Sequence, residues 1–311
     1  MRVRKLGLLA AACCACAIAG CRLPDVTPFA SAVSRTALGV QETGDSIAGA
    51  AGAFSTSAAE RIEREWQVRV ALVEALNGYA DTLSSVVAAG QSGRTGVQKL
   101  GGALDRLLGV FGSASVAGST AFRVGGEVYA LAAEAKAAAT VHDAVREAQP
   151  VIARACALLI EDLNDAEMAL AQLRLTALAR ERISAESSAL RQQIKQLDGV
   201  RQIRFAQLDD GQTIDPGELA ALDALISTRH DELAARTMPI DRSFRATLEL
   251  IARTRSAVRA LAVEHGRLAD AIETKRTAGA GTLEFAAARL LETTATVRAI
   301  LNETPSGESE R

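Results

Sequence analysis

The stretch PVIARACALLIEDLNDAEMALAQL, residues 150–173, sets Ile152, Cys156, Leu159, Leu163, Ala166, Leu170 and Leu173 at steps of four and three. Steps of that length return to one side of an α-helix, so the run writes an apolar seam for a partner helix. Pro150 stands where a helix can open, because a first-turn residue needs no amide donor. Across 174–182 the phase changes, and Ile183, Leu190, Ile194, Leu197 and Leu208 take up a new register. A slip of this kind alters supercoiling without ending the helix. The pattern stops at DDGQTIDPGE, residues 209–218, where Asp215, Pro216 and Glu218 supply a cap, a first-turn proline and a capping-box acid.

Beyond this reversal the stripe returns with Leu219, Leu222, Ile226 and Leu233, then Phe244, Leu248, Ile251, Val258, Leu261, Leu268 and Ile272. The two arms, 150–208 and 216–276, are 59 and 61 residues long, about 90 Å each at helical rise. They predict one long antiparallel, coiled-coil-like helical hairpin over 150–276. Pro239 lacks a donor and crowds the preceding turn, which predicts a kink or a split in the second arm. Gly199 is a milder weakness in the first, costing about 1 kcal/mol relative to Ala.

Composition carries the same reading to the rest of the chain. Aromatic residues are only 3% of 311, while Ala, Leu, Arg and Glu dominate long stretches between few prolines. Such residues favour helix, and a chain poor in aromatic and β-branched residues builds sheets badly. The expected class is all-α, an elongated helical bundle. Residues 28–148 form an Ala/Gly-rich helical region. Within it Thr27 can cap and Pro28 can open a weak helix over 28–53. Ser57 and Glu60, in capping-box spacing, predict the next start. Ile62, Trp66, Val73, Leu76, Ala80, Leu83 and Val87 then trace one stripe with Arg69 in its polar slot, which makes Trp66 a seam residue rather than a ligand platform.

AAGQSGRTG, residues 88–96, looks at first like a phosphate cradle. Val97 stands where the nucleotide-binding pattern requires Lys, so an interhelix turn is the better reading. LLGVFGSASVAGSTAF, residues 107–122, is uncharged yet too short to span a bilayer. Its small residues allow close packing in a bundle, with insertion into a membrane as the alternative. A helical pattern resumes over 127–148. Thr282 is placed to cap a last helix, 282–301, and the polar residues 302–311 read as a disordered tail.

The N-terminus carries a different signal. RVRK, residues 2–5, precedes an uncharged apolar run from Leu6 to Ala19 and then small residues, the order of a secretory leader. The run is shorter than a span requires and ends at Arg22 and Pro24. Ile18, Ala19, Gly20 and Cys21 follow the order aliphatic, small, small, Cys. In this the first two dozen residues resemble a bacterial lipoprotein signal. The resemblance implies a signal peptide over 1–20, cleavage between Gly20 and Cys21, a diacylglycerol on the Cys21 sulfur, fatty acylation (palmitate) of the new amine, and a tether over 21–27. Several acyl chains on one residue hold a membrane durably where one does not. Arg22, standing where inner-membrane retention in Gram-negative cells often uses Asp, implies the outer membrane.

Loss of Arg2, Arg4 and Lys5 with the leader shifts the formal charge from −2 to −5, which does not suit a nucleic-acid binder. Cys13, Cys14 and Cys16 leave with the leader, so Cys156 remains alone: a core side chain or an intermolecular bridge, with no intramolecular disulfide. His142, His230 and His265 are scattered, none at ligand spacing from another, so no metal is expected. Gly-x-Ser-x-Gly is absent, acid pairs such as Glu161/Asp162 and Asp209/Asp210 read as solvated faces, and LDDGQTIDPGE lacks the alternating ligands of a calcium loop. No enzyme, cofactor or small-molecule substrate is expected. The function read from the residues is that of an anchored envelope scaffold whose helix faces meet a protein partner or a second copy. Its alternative is a membrane-perturbing protein, loosely similar to helical pore-forming toxins, that uses 107–122.

Overall fold

Helix starts in this chain are set by short side chains that satisfy the first orphan amides. The computed structural model describes residues 25–52, 55–91, 93–116, 126–274 and 281–303. Among these lie eight helices and no strand: α1 Thr27–Gly52, α2 Thr56–Ala88, α3 Arg94–Val116, α4 Gly126–Ala137, α5 Val141–Ile183, α6 Ala185–Asp209, α7 Pro216–Thr274 and α8 Gly281–Glu303. The all-α class and the antiparallel hairpin are as the seams require. The leader, Ile18, Ala19, Gly20 and Cys21, residues 117–122 of the uncharged segment, and the tail from 304 lie outside the described residues.

Several boundaries differ from the sequence reading, each for a local reason. α2 is capped by Ser55 rather than Ser57, since the Ser55 Oγ accepts from the Ala58 amide at 3.3 Å. Asp25 Oδ1, not Thr27, takes an orphan amide ahead of α1. α5 does not begin at Pro150. Thr140 accepts from the Asp143 amide at 3.1 Å and donates to Asp143 Oδ2 at 2.7 Å, so the helix is nucleated earlier and carries Pro150 inside it. The boundary expected between a region ending at 148 and a hairpin beginning at 150 is therefore bridged by one helix. The first arm is not continuous, because Ser184 leaves helical geometry and its hydroxyl caps the Ser187 amide. Pro239 does not split α7, which runs unbroken for 59 residues. Glu218 does not close a box on its own cap but pairs with Arg204 across the reversal at 2.7 Å, and α8 begins at Gly281, ahead of Thr282.

The seam of the first arm packs as its spacing requires: Ile152, Cys156, Leu159, Leu163 and Leu170 are buried, with Ala166 and Leu173 half-buried beside them. α5 and α7 run antiparallel, shown by contacts that ascend one helix while descending the other. Gln149 meets the Ala262 carbonyl, Arg255 meets Asn164 and Glu167, and Arg174 meets Asp241. α1 lies against both hairpin elements and also packs on α2 and α8. α3 contributes Leu100, Leu104, Leu107 and Phe111 to the same core, and α4 is tied to α3 by Lys136 and Asp105 at 2.7 Å.

Two buried polar layers cross this core on the same four helices. In the first, the Trp66 indole on α2 donates to the Val40 carbonyl of α1 at 2.9 Å. The Arg69 guanidinium sits 4.6 Å from the Trp66 ring and pairs with Asp162 of α5. Thr43 of α1 and Thr254 of α7 share a hydrogen bond of 2.7 Å. The indole rests directly on Gly44, where an added Cβ would come within 2.1 Å of Trp66 Cδ1. In the second layer, His265 of α7 stands between Tyr79 of α2 and Gln149 of α5, with the Phe29 ring of α1 at 5.9 Å. The layers are about three helical turns apart on each helix. Burial pushes the Asp162 carboxyl up against the pull of Arg69 beside it.

These layers predict a specific asymmetry. Asp162→Ala leaves the Arg69 charge buried without its partner and should lower unfolding free energy by about 3–5 kcal/mol, whereas Arg69→Met with Asp162→Leu should come within about 1–2 kcal/mol of wild type. Gly44→Ala, by displacing the indole, should cost about 1–3 kcal/mol. Urea titration followed by far-UV circular dichroism measures all three.

Candidate functional site

His265, Tyr79 and Gln149 have the composition of a proton relay. The Tyr79 hydroxyl lies 3.0 Å from His265 Nε2, His265 Nδ1 contacts Gln149 Oε1, and Gln149 Nε2 donates to the Ala262 carbonyl at 3.3 Å. Burial pushes the Tyr79 phenol up and holds it protonated, so it is the donor to Nε2. His265 is then the neutral tautomer with its proton on Nδ1. Both rings are sealed from solvent, and no substrate can reach them without opening the core. The relay joins α2, α5 and α7.

The other candidates behave in kind. Cys156 is buried, and desolvation pushes its thiol up to about 12, well away from reactivity. His142 sits half-buried beside Asp143 at 3.5 Å, and His230 is exposed on α7. Among the described residues no group of three or more His, Cys, Asp or Glu side chains is placed to hold a metal. No described helix is long and apolar enough to cross a membrane. Gly20 and Cys21 lie outside the described residues, so the structure brings neither to any site.

Two surface features coincide where α5 leaves the bundle. α6 contacts only α7 and the end of α5 among the described elements, so α6 with the first half of α7 forms a two-helix arm about 38 Å long at helical rise. Its seam is thin: Ser187 and Ile194 are the buried residues of α6, and Ile226 is buried opposite on α7. Ile183 and Leu208, expected in that seam, are exposed instead: Ile183 lies before the break at Ser184, and Leu208 stands in the last turn of α6. Ion pairs fence the root of the arm: Arg236 with Glu186, and Asp241 with Arg174 and with Arg245 at 2.8 Å.

On the outer face of α5 at this root, Met168, Leu175 and Ile183 are 61, 66 and 78% exposed. Steps of seven and eight place all three on one side of the helix, with exposed Gln172 and Ala179 between them. This is a second apolar stripe, distinct from the seam and without a partner helix in the described chain. Beside it α2 and α5 enclose a cleft of about 360 Å³ floored by Ala58 and Ala177 and walled by Arg61, Arg64 and Arg180.

The stripe and cleft were not read from the residues. Met168 and Leu175 were passed over because the stronger seam on the same helix accounts for its period, and Ile183 was assigned to the seam of the arm, from which it is exposed. Arg61 and Arg64 are more than a hundred positions from Arg180, and only the fold brings them together. Comparison of the chain with protein-family models, with curated proteins and with solved structures finds no match.

The sealed imidazole makes a pH prediction. Burial lowers the His265 pKa from 6.5 to about 4, so between these values the unfolded chain takes up a proton that the folded chain refuses. Stability is full above pH 6.5 and falls as pH drops through that window, by up to roughly 3 kcal/mol. His265→Gln should flatten this slope, measured as urea midpoints at pH 7, 5.5 and 4.5.

Proposed function

We propose that the protein is a lipid-anchored envelope lipoprotein, fastened at Cys21, that works without catalysis as a helical docking scaffold. The reading is supported by the order of residues 2–21 and, above all, by the unpartnered apolar stripe of Met168, Leu175 and Ile183 at the root of a two-helix arm. An exposed apolar row on a rigid helix is suited to receive another helix, whether from a protein partner or a second copy. The groups that could do chemistry favour the same reading, since His265, Tyr79 and Cys156 are all sealed in the core. Arg22 after the anchor favours the outer membrane, by the resemblance already described.

The membrane-perturbing alternative draws no comparable support. Leu107 and Phe111, which open the uncharged segment, are core residues of α3, and withdrawing each would expose side chains whose burial contributes about 1.5–3 kcal/mol apiece.

Mass spectrometry of the protein from native membranes should find a diacylglyceryl, N-acylated Cys21 at the mature N-terminus, and Cys21→Ser should release the chain from the membrane fraction. A photocrosslinker at Leu175 should trap a defined adduct in intact cells, while one at Tyr129, also exposed, should not. Leu175→Glu should abolish the adduct at wild-type helicity. A bare Cys21 sulfur sinks the anchor, and equal adducts from both positions sink the docking face.

A further inference from the structure

The exposed row on α5 is longer than its apolar part. In steps of three and four it runs Asp165, Met168, Gln172, Leu175, Ala179 and Arg182, all exposed. Such steps keep to one side of a helix, here the side turned away from buried Leu163, Leu170 and Ala177. An acid stands at one end of the row, a base at the other, and uncharged side chains lie between. The charged residue between 168 and 179, Arg174, is turned to Asp241 of α7. Asp165 and Arg182 have no ion-pair partner among the described residues. Ala169, Thr176 and Ala179 on this surface are small and exposed, which lets a second helix approach closely.

A row that carries opposite charges at its two ends is complementary to itself when turned end for end. Laid antiparallel on a second copy about a two-fold axis between Gln172 and Leu175, each residue meets another member of the same row. Asp165 then faces Arg182, Met168 faces Ala179, and Gln172 faces Leu175, so both large apolar side chains are covered and both charge pairs form in each direction. Other arrangements lose this match. A parallel pairing sets Asp165 against Asp165 and Arg182 against Arg182. A slip of one heptad sets Asp165 against Leu175 in one direction and Arg182 against Gln172 in the other. The row ends at the break at Ser184, beyond which Glu186 is held by Arg236. We propose that the docking partner of this face is a second copy of the chain, joined through α5 in an antiparallel, isologous dimer with Asp165 of each copy paired to Arg182 of the other. The contact spans about 26 Å of helix. A seam that short relies on its end charges for direction and register more than for strength. The inference rests on the reading of the stripe as a docking face and not on the anchor at Cys21.

The test is sedimentation equilibrium of the full-length chain in a neutral detergent at low salt. Wild type should dimerise reversibly. Asp165→Arg sets arginine against arginine at both ends of the pairing and should weaken it about tenfold; Arg182→Asp should do the same with acids. A mixture of these two variants matches every charge again and should form a heterodimer at about wild-type affinity, as should the homodimer of the doubly substituted chain. All of these sites are exposed, and helicity should be unchanged. Glu134→Arg, at an exposed position of α4, should leave dimerisation within about twofold. A wild-type chain that stays monomeric at submillimolar concentration overturns the proposal, as does a dimer that neither charge reversal weakens. The photocrosslinker at Leu175 separates this inference from the reading beneath it. An adduct of twice the chain's mass supports pairing of copies, and a defined adduct of any other mass overturns the second copy while the docking face stands. Equal adducts from Leu175 and Tyr129 overturn both.

Discussion

Desolvation of a few polar groups governs this fold. Ala-rich helices pack closely but carry little information about register, since one small side chain replaces another after a shift of three or four residues. Arg69 and Asp162 remove that freedom, because a slip of a single turn would leave two charges buried apart from each other, at a cost well above what apolar packing could recover. The His265 layer does the same about three turns away, with each polar atom of Tyr79, the imidazole and Gln149 matched to one neighbour. With two layers crossing the same four helices, the relative height of α1, α2, α5 and α7 has one solution. The hydrophobic seams supply the driving force, and the polar layers choose among its degenerate outcomes.

Much of this was legible in the residues, and the limits have physical causes. Seam positions such as Leu163 and Val258 were readable because helical period is a local property. Arg69 was visible only as an interruption; that it meets Asp162, 93 positions on, follows from tertiary contact. The boundary errors share one source. Proline at 150 is a strong mark for a helix start, yet the Thr140 hydroxyl, held by the Asp143 carboxylate, caps the Asp143 amide sooner, and the packed core of α5 and α7 tolerates the lost hydrogen bond. Ser184 ended a helix that periodicity alone would have carried through. The cleft could not have been found, because it is made by helices that do not adjoin in the chain.

The two halves of the molecule use opposite arrangements of the same residue types. Inside the bundle few charged side chains are buried, and Arg69 and Asp162 are held there as a pair among apolar residues. In the arm, apolar residues are few and many are uncovered, while charges run along its length in pairs such as Arg201 with Asp223 and Arg204 with Glu218. A two-helix element with so thin a seam owes its persistence to continuity with the bundle through α7, which is common to both. The root, where Ser184 breaks one strand of the hairpin and α7 passes straight on, is thus a place where bending of the arm would concentrate. The exposed stripe and the basic cleft both adjoin it.

The position of α1 has a consequence for how the chain comes together. Its contacts with α7 and α8 join residues 211 and 256 positions apart, Thr43 with Thr254 and Glu42 with Arg298. Loops of that span close slowly, and the helix made first must wait for the segments made last. During synthesis α1 and α2 can form a hairpin of their own through Trp66 and Val40, but the side of α1 destined for α7 stays uncovered until α7 has emerged. A nascent chain of this design is exposed to aggregation for the longest part of its biogenesis, and assistance from a holding chaperone would act on the apolar side of that first helix.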